Sequence, residues 1–544
     1  MKSRLCALLL AVPLTLFAQS KFGEKIEVKL IEIDAVVTDA KGNRVYGLTA
    51  GDFLLFEGRK QQEISNFSEY RSPEAKVNAG SEAKAAVIPR REPHSIMVLI
   101  DALPRRRFIR DRALKDLEQV LGRTLQTGDR ASVIAWASGY ERPVTVQEPT
   151  NDLALIHQAI RRIAGTVTAA EQVNLGDTTG TETFFKEAES VGGENGIGAD
   201  AATQNQFTQR VGAQQDIMLL RRKCRSMQRL ISTLAAQPGK KSFIYVSQTF
   251  MMPDEGGDGA SSGARAQGLE IIERLVKQAN ASSVTVYAVR PYLYSPDDDD
   301  TVKSVDTIDS LDATRNKGFR GHNLSTEALQ QLTLPTGGAF GTGPDSVAKV
   351  GAAIIEDLES YYSLAYRARS DGGDRERKIT VRTKNPAYTV RSRHAFIEKS
   401  NETIARDSLI DRLFSNEGAN DLAFDVAEKP VQRIGRNRWL LPIELRIPTS
   451  QLQYVDDAAN VDNRGQRVAH VKILIAAAFG VSEITPVTDQ TLRIVAREDD
   501  RGGYITYETK ILGDSRGSKV SIGVFDTASG LAGYRTIDNR QRFP

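Results

Sequence analysis

The stretch Ser95-Ile96-Met97-Val98-Leu99-Ile100-Asp101 is an unbroken apolar run that ends on a carboxylate. Runs without polar alternation mark strands covered on both faces, as in parallel sheets. The residues after it change period. Phe108, Ile109, Ala113, Leu114, Leu117, Val120 and Leu121 recur at helical spacing. Gly128-Asp129 then leads into a second apolar strand, Ala131 to Trp136. The alternation continues with a helix on Leu153, Ile156, Ile160 and Ile163, and another from Met218 to Leu234. Ser242 to Val246 is a strand, Leu269 to Val276 a helix and Val284 to Val289 a strand. Leu329 and Leu332 end a short helix. Val347, Val350, Ile354 and Leu358 mark a last one, with Asp345 placed to cap it. Strands alternating with helices predict βαβ units and a doubly wound, mostly parallel α/β sheet over residues 93–362.

Two segments interrupt this pattern. Residues 166–213 are rich in Gly, Thr, Gln, Asn and Glu and read as a flexible insert. Residues 295–323 form an acidic loop around Asp297-Asp298-Asp299-Asp300. It lacks the Gly and the closing Glu of an EF-hand loop, so a solvated acidic loop is expected there rather than a calcium site.

The flanks read as β structure. Residues 22–75 form a small N-terminal β domain, in which Thr49 and Asp52 bracket a capped single turn. Residues 76–92 lack periodicity and read as a linker. Alternating strands over 363–398 suggest a β annex, and strand-like stretches over 420–544 an immunoglobulin-like β-sandwich.

The N-terminus has the layout of a secretory signal peptide. Lys2 and Arg4 precede an apolar run, Leu5 to Phe17, with cleavage expected after Ala18. The run is short for a bilayer span, which needs about 20 apolar residues, and no later stretch approaches that length. The chain is therefore expected to be exported to the periplasm, the cell surface or the medium, with no membrane span left after cleavage. A length of 544 residues implies several domains, and a net charge of only +3 argues against a nucleic-acid partner. Of two cysteines, Cys6 leaves with the signal peptide. Cys224 lies in a helical pattern and reads as a buried apolar residue, so no disulfide framework is expected.

Searches for catalytic motifs find none. The five histidines are scattered, and neither His-Glu-x-x-His nor Gly-x-Ser-x-Gly is present. Gly239-Lys240-Lys241-Ser242 precedes a strand, whereas a phosphate-binding loop follows one. No catalytic residue is assigned, and the chain is expected not to be an enzyme.

Several segments together resemble one family, the von Willebrand factor A-related proteins exported by acidobacteria. They are VVTDAKGNRVYGLTAGDFLLFEGRKQQEISNF (36–67), SIMVLID (95–101), LQTGDRASVIAWAS (125–138), QPGKKSFIYVSQTF (237–250), VTVYAVRP (284–291), TGGAFGTG (336–343) with AIIEDLESYYSLAY (353–366), and KITVRTKNPAYTVRSRHAF (378–396). Their order and spacing carry the resemblance, which covers roughly 22–398. It implies a Rossmann-like von Willebrand A (VWFA) domain serving ligand binding or adhesion. It also implies a metal ion at the carboxyl ends of the strands, held by Asp-x-Ser-x-Ser, a later Thr and a further Asp.

Here the first of those loops reads Asp101-Ala102-Leu103-Pro104-Arg105, with both serines gone. Thr166 is placed to supply the threonine, and Gln248 stands near the position of the second Asp. The site is thus a degenerate metal-ion-dependent adhesion site (MIDAS) with Asp101 and Thr166 as the remaining candidate metal ligands. Arg105, Arg106 and Arg107 bring positive charge to the same rim and are the candidate partner-binding residues. The plainer alternative is a solvated helix start with Asp101 capping locally. The expectation is an exported adhesion protein that binds a protein or polysaccharide without a cofactor. Magnesium- or calcium-dependent adhesion through a rearranged ligand set, and an extracellular hydrolase, are the alternatives.

Overall fold

A computed structural model describes residues 28–70, 93–101, 107–126, 128–136, 143–173, 201–235, 239–248, 263–291, 323–369, 374–414, 420–436, 438–456, 466–479, 484–496, 503–514 and 519–538, with isolated positions between them. The expected signal peptide, the linker and the acidic loop lie outside these residues.

The chain begins with β1 (Val28–Thr38), β2 (Phe53–Glu57), β3 (Lys60–Gln62) and β4 (Asn66–Tyr70). In β1, Ile31, Ile33, Ala35 and Val37 are buried, the two-residue period of a strand with one covered face. The single turn before β2 forms as expected. The Asp52 carboxylate accepts from the Thr49 backbone N–H and its hydroxyl, both at 2.7 Å.

Next come β5 (His94–Asp101), α1 (Arg107–Thr124), β6 (Arg130–Trp136), β7 (Val144–Thr150), α2 (Leu153–Val173), α3 (Ala201–Ala235), β8 (Lys240–Val246), α4 (Ala264–Ala281), β9 (Val284–Arg290), helix α5 over 323–333, β10 (Phe340–Thr342) and α6 (Ser346–Glu359). The six strands form one sheet in the order β10-β9-β8-β5-β6-β7. All neighbours are parallel except β7, which runs antiparallel to β6 at the edge. This is the doubly wound arrangement expected from the alternating pattern.

β5 is apolar throughout because both of its faces are covered. Met97 and Leu99 pack towards α3, α4 and α5, and Ile96, Val98 and Ile100 towards α1, α2 and α6. Asp345 occupies the cap position of α6 but makes no side-chain cap bond; its carboxylate pairs with Arg112 of α1.

The insert expected over 166–213 is corrected at both ends. Residues up to 173 continue α2, and α3 already begins at Ala201. Segments rich in Ala and Gln are good helix formers even when aliphatics are few, which is why composition misread them.

The segment after α6 holds the larger correction. β11 (Tyr361–Arg369), β12 (Glu376–Thr383), β13 (Thr389–Ser392) and β14 (Ala395–Ile397) do not form a separate annex. They interleave with the first four strands in two sheets, β13-β1-β11-β4 and β14-β12-β2-β3. Ile33, Phe53, Leu55, Tyr362, Leu364 and Val381 fill one core between them. The N-terminal β domain and the annex are therefore one sandwich, and the α/β domain is inserted between its halves. The domain boundary placed at 362 falls inside β11.

The insertion is tied down at the end of α6. Asp357, 8% exposed, accepts from Tyr287 of β9 at 2.9 Å. It also accepts from both terminal nitrogens of Arg391 on β13 and from Arg44 in the loop after β1. A carboxylate of the inserted domain thus sits between two guanidinium groups of the sandwich.

Beyond Ser400, whose hydroxyl caps α7 (Asn401–Asp411) by accepting from Thr403 N–H at 3.2 Å, the chain forms a second sandwich. Its strands are β15 (Asp425–Glu428), β16 (Gln432–Gly435), β17 (Arg438–Pro448), β18 (Val455–Asp456), β19 (Arg467–Ala478), β20 (Thr488–Val495), β21 (Tyr504–Asp514), β22 (Lys519–Asp526) and β23 (Ala532–Asp538). β15, β16 and β21 pair with β17 in one sheet, and β18, β19, β20, β22 and β23 make the other. Leu409 and Leu413 cover the outer face of the second sheet against Leu474, Phe525 and Tyr534.

Breaking a buried ion pair from one side typically costs about 3–5 kcal/mol, because the partner charges stay buried. Asp357→Ala is therefore expected to lower unfolding stability by about 3 kcal/mol, read as a lower midpoint in urea titration. An unchanged midpoint would show that the joint contributes nothing.

Candidate functional site

In an open doubly wound sheet, the crevice lies at the carboxyl ends of the strands, where the crossovers part in opposite directions. Here that point is between β5 and β8: β5 leads through α1 to β6 on one side, β8 through α4 to β9 on the other. Four adjacent strand ends place Trp136, Asp101, Ser247 with Gln248, and Arg290 along this edge.

Asp101 is 7% exposed, and its Oδ2 is the centre of the site. The Tyr245 hydroxyl donates to it at 2.6 Å, and Ser247 Oγ lies at 3.4 Å. Lys223 of α3 brings its Nζ to 2.6 Å from the same oxygen and 3.4 Å from the Tyr245 hydroxyl. The ammonium also stands 5.9 Å from the Trp136 ring centroid and 5.8 Å from that of Phe250, within cation–π reach. Tyr245 is fully buried. Burial above all, and then the Asp101 charge, push its phenol well above the usual value, so it remains a donor.

Beside this cluster, Arg290 Nε donates to the Gln248 carbonyl at 2.9 Å and Nη1 to Thr326 Oγ1 at 3.1 Å. Burial brings the Arg290 guanidinium down to about 10, which still leaves it charged at neutral pH. Among the described residues, Gln248 Oε1 is buried without a hydrogen-bond partner.

The sequence-predicted residues fare unevenly. Asp101 stands where it was expected. Thr166 lies within α2 rather than on a loop at a strand end, and its side chain is outside the described residues. Arg105 and Arg106 are also outside them, and Arg107 opens α1 as an exposed residue. Lys223, Tyr245 and Arg290 were missed. A signal for Lys223 existed: it falls three residues after buried Leu220 and four before buried Met227, on the inward side of the helix. Its neighbours Arg221, Arg222 and Arg225 face solvent. Cys224 is buried as expected, and burial pushes its thiol up to about 12, far from a reactive thiolate.

A hard divalent cation needs about six oxygen ligands in open geometry. The donors among the described residues do not fit one: Asp101 Oδ2 already receives an ammonium and a phenol. Among the described residues, no three His, Cys, Asp or Glu side chains converge.

No family model matches the chain, and no curated protein matches it. Solved structures resembling it include an aerotolerance-related membrane protein from Bacteroides fragilis, with TM-score 0.24 and 11% identity over 48% of this chain and 98% of that one. The pilus adhesin SpaC from Lactobacillus rhamnosus GG has TM-score 0.24 and 10% identity over 90% of this chain, which spans 60% of that protein. The vWF domain of the type V pili tip protein Mfa5 from Porphyromonas gingivalis has TM-score 0.21 and 11% identity over 49% of this chain and 95% of that one. Likeness at this level carries no argument for a shared activity.

The buried phenol yields a pH dependence. Its folded value lies above the unfolded value of 10.0, so its contribution is fully present below pH 10.0 and is lost as pH rises towards the folded value. Wild-type stability should fall above that pH as the unfolded phenol ionises. In Tyr245→Phe the fall should be shallower by one proton, about 1.4 kcal/mol per pH unit. Equal slopes in alkaline urea titrations would contradict the assignment.

Proposed function

We propose that this chain is an exported interaction protein that binds a protein or polysaccharide partner at the crevice over Asp101, without a resident metal ion. The observation that carries this reading is the buried Asp101–Lys223–Tyr245 cluster at the switch point of the sheet, where such folds take ligands. One feature of the rim supports it. Arg107 is exposed beside Phe108, itself 76% exposed, and arginine and aromatic side chains are the residue types that dominate interface energies. The sequence of the N-terminus supports export. Among the described residues, no helix is long and apolar enough to cross a membrane.

Metal-dependent adhesion is the competing reading, and the two separate in one experiment. The tagged chain is used to capture partners from a cell-envelope or secreted fraction, with and without a chelator. Capture is expected to survive chelation and to weaken at least tenfold when Arg105, Arg106 and Arg107 are all replaced by Ala. Capture abolished by chelator would favour the metal-dependent reading. Capture indifferent to the triple substitution would remove the arginine rim from the site. Turnover in a broad substrate screen, lost in Asp101→Asn, would instead establish a hydrolase.

A further inference from the structure

We propose that the Lys223 ammonium is a tethered cation that fills the cation position at the switch point and closes it to divalent ions. A carboxylate taken out of water needs a nearby positive charge or must give up its own. At the end of β5 that charge comes from α3, a segment 122 positions away in sequence (101 to 223). Four basic residues follow one another closely there, Arg221, Arg222, Lys223 and Arg225, and only Lys223 turns inward. The apolar stripe of Ile217, Leu220, Cys224 and Met227 fixes the helix face that turns inward.

The geometry makes the substitution of charge for charge specific. The Nζ lies 2.6 Å from Asp101 Oδ2, which the Tyr245 hydroxyl also meets at 2.6 Å. An ion approaching that oxygen would have to displace both. The Trp136 and Phe250 rings flank the ammonium, and ring faces favour a weakly shielded cation over a hydrated divalent ion. Lys223 keeps 17% of its side-chain surface exposed, so its side chain is not sealed in the protein interior. A tethered charge is not removed by chelation and offers no open coordination position. The biological use of this arrangement rests on the crevice being the binding site. The test uses no partner, so failure of either idea is seen separately from the other.

The experiment is thermal unfolding of the full chain and three variants, Lys223→Met, Asp101→Asn and the double variant, each in chelator and in excess magnesium, calcium or manganese. A bound ion would raise Tm with its concentration. Wild-type Tm is expected to be the same in all four media. Lys223→Met, which takes this counter-charge from the buried Asp101, is expected to lose roughly 10 °C. Adding Asp101→Asn to it is expected to return most of that loss, because the stranded charge is gone. A wild-type Tm that rises with any of the ions overturns the proposal. So does a Lys223→Met protein as stable as wild type, or a double variant no more stable than Lys223→Met. If Lys223→Met does not fold, a folded double variant supports the proposal and an unfolded one overturns it.

Discussion

The carboxylate of Asp357 holds together two domains that the sequence interleaves. It lies in the last turn of the last helix of the inserted α/β domain, which ends at Glu359, and a single residue, Ser360, precedes β11 at Tyr361. No linker separates them, so the position of α6 fixes where β11 enters the sandwich. Arg44 and Arg391 reach Asp357 from two different strands' ends, and Tyr287 reaches it from the sheet. A buried ion cluster of this kind contributes less to net stability than to geometry, since desolvation offsets much of the attraction. Its effect is to specify one orientation of insert against sandwich. The stacked Tyr70 and Tyr361 rings, 4.5 Å apart, and the Lys240–Asp34 ion pair at 2.8 Å extend the same contact.

The joint lies at the amino ends of the parallel strands, and the Asp101 cluster lies at their carboxyl ends. A strand of seven or eight residues spans about 25 Å, so the joint and the Asp101 cluster are separated by the full height of the sheet. Both ends solve one electrostatic problem by the same means. A single buried carboxylate accepts from a phenol on a neighbouring strand, Tyr287 at one end and Tyr245 at the other, and is neutralised by cations from distant segments. The two carboxylates are alike in exposure, 8% for Asp357 and 7% for Asp101, and differ in their cations: Asp357 meets two guanidinium groups, Asp101 an ammonium.

The parts of the fold legible in the sequence are those set by local periodicity. The β5 run, the β8 and β9 strands and the spacing of α1, α2 and α6 each follow from contacts within one element or with its immediate cover. The interleaved sandwich was not legible. β2 pairs with β12 through Leu55 and Val381, more than 300 residues apart, and nothing in either strand names its partner. β7 was missed because it is a partly exposed edge strand without an apolar run. The start of α3 was hidden by a polar composition that suits helices and loops alike.

The same division explains the candidate site. Asp101 was legible because a carboxylate at the end of a buried strand stands out against an apolar run. The arginines at 105–107 drew attention because they are adjacent to it in sequence. The cation that meets Asp101 comes instead from the middle of a helix whose charged residues read as a solvated face. What distinguishes Lys223 from Arg221, Arg222 and Arg225 is its phase relative to Leu220 and Met227, a difference of about 100° around the helix per residue. An ion pair that joins segments so far apart forms only once the sheet and α3 are both in place. Its charge balance is therefore a property of the assembled fold, which is why a motif written for contiguous residues does not register the lysine.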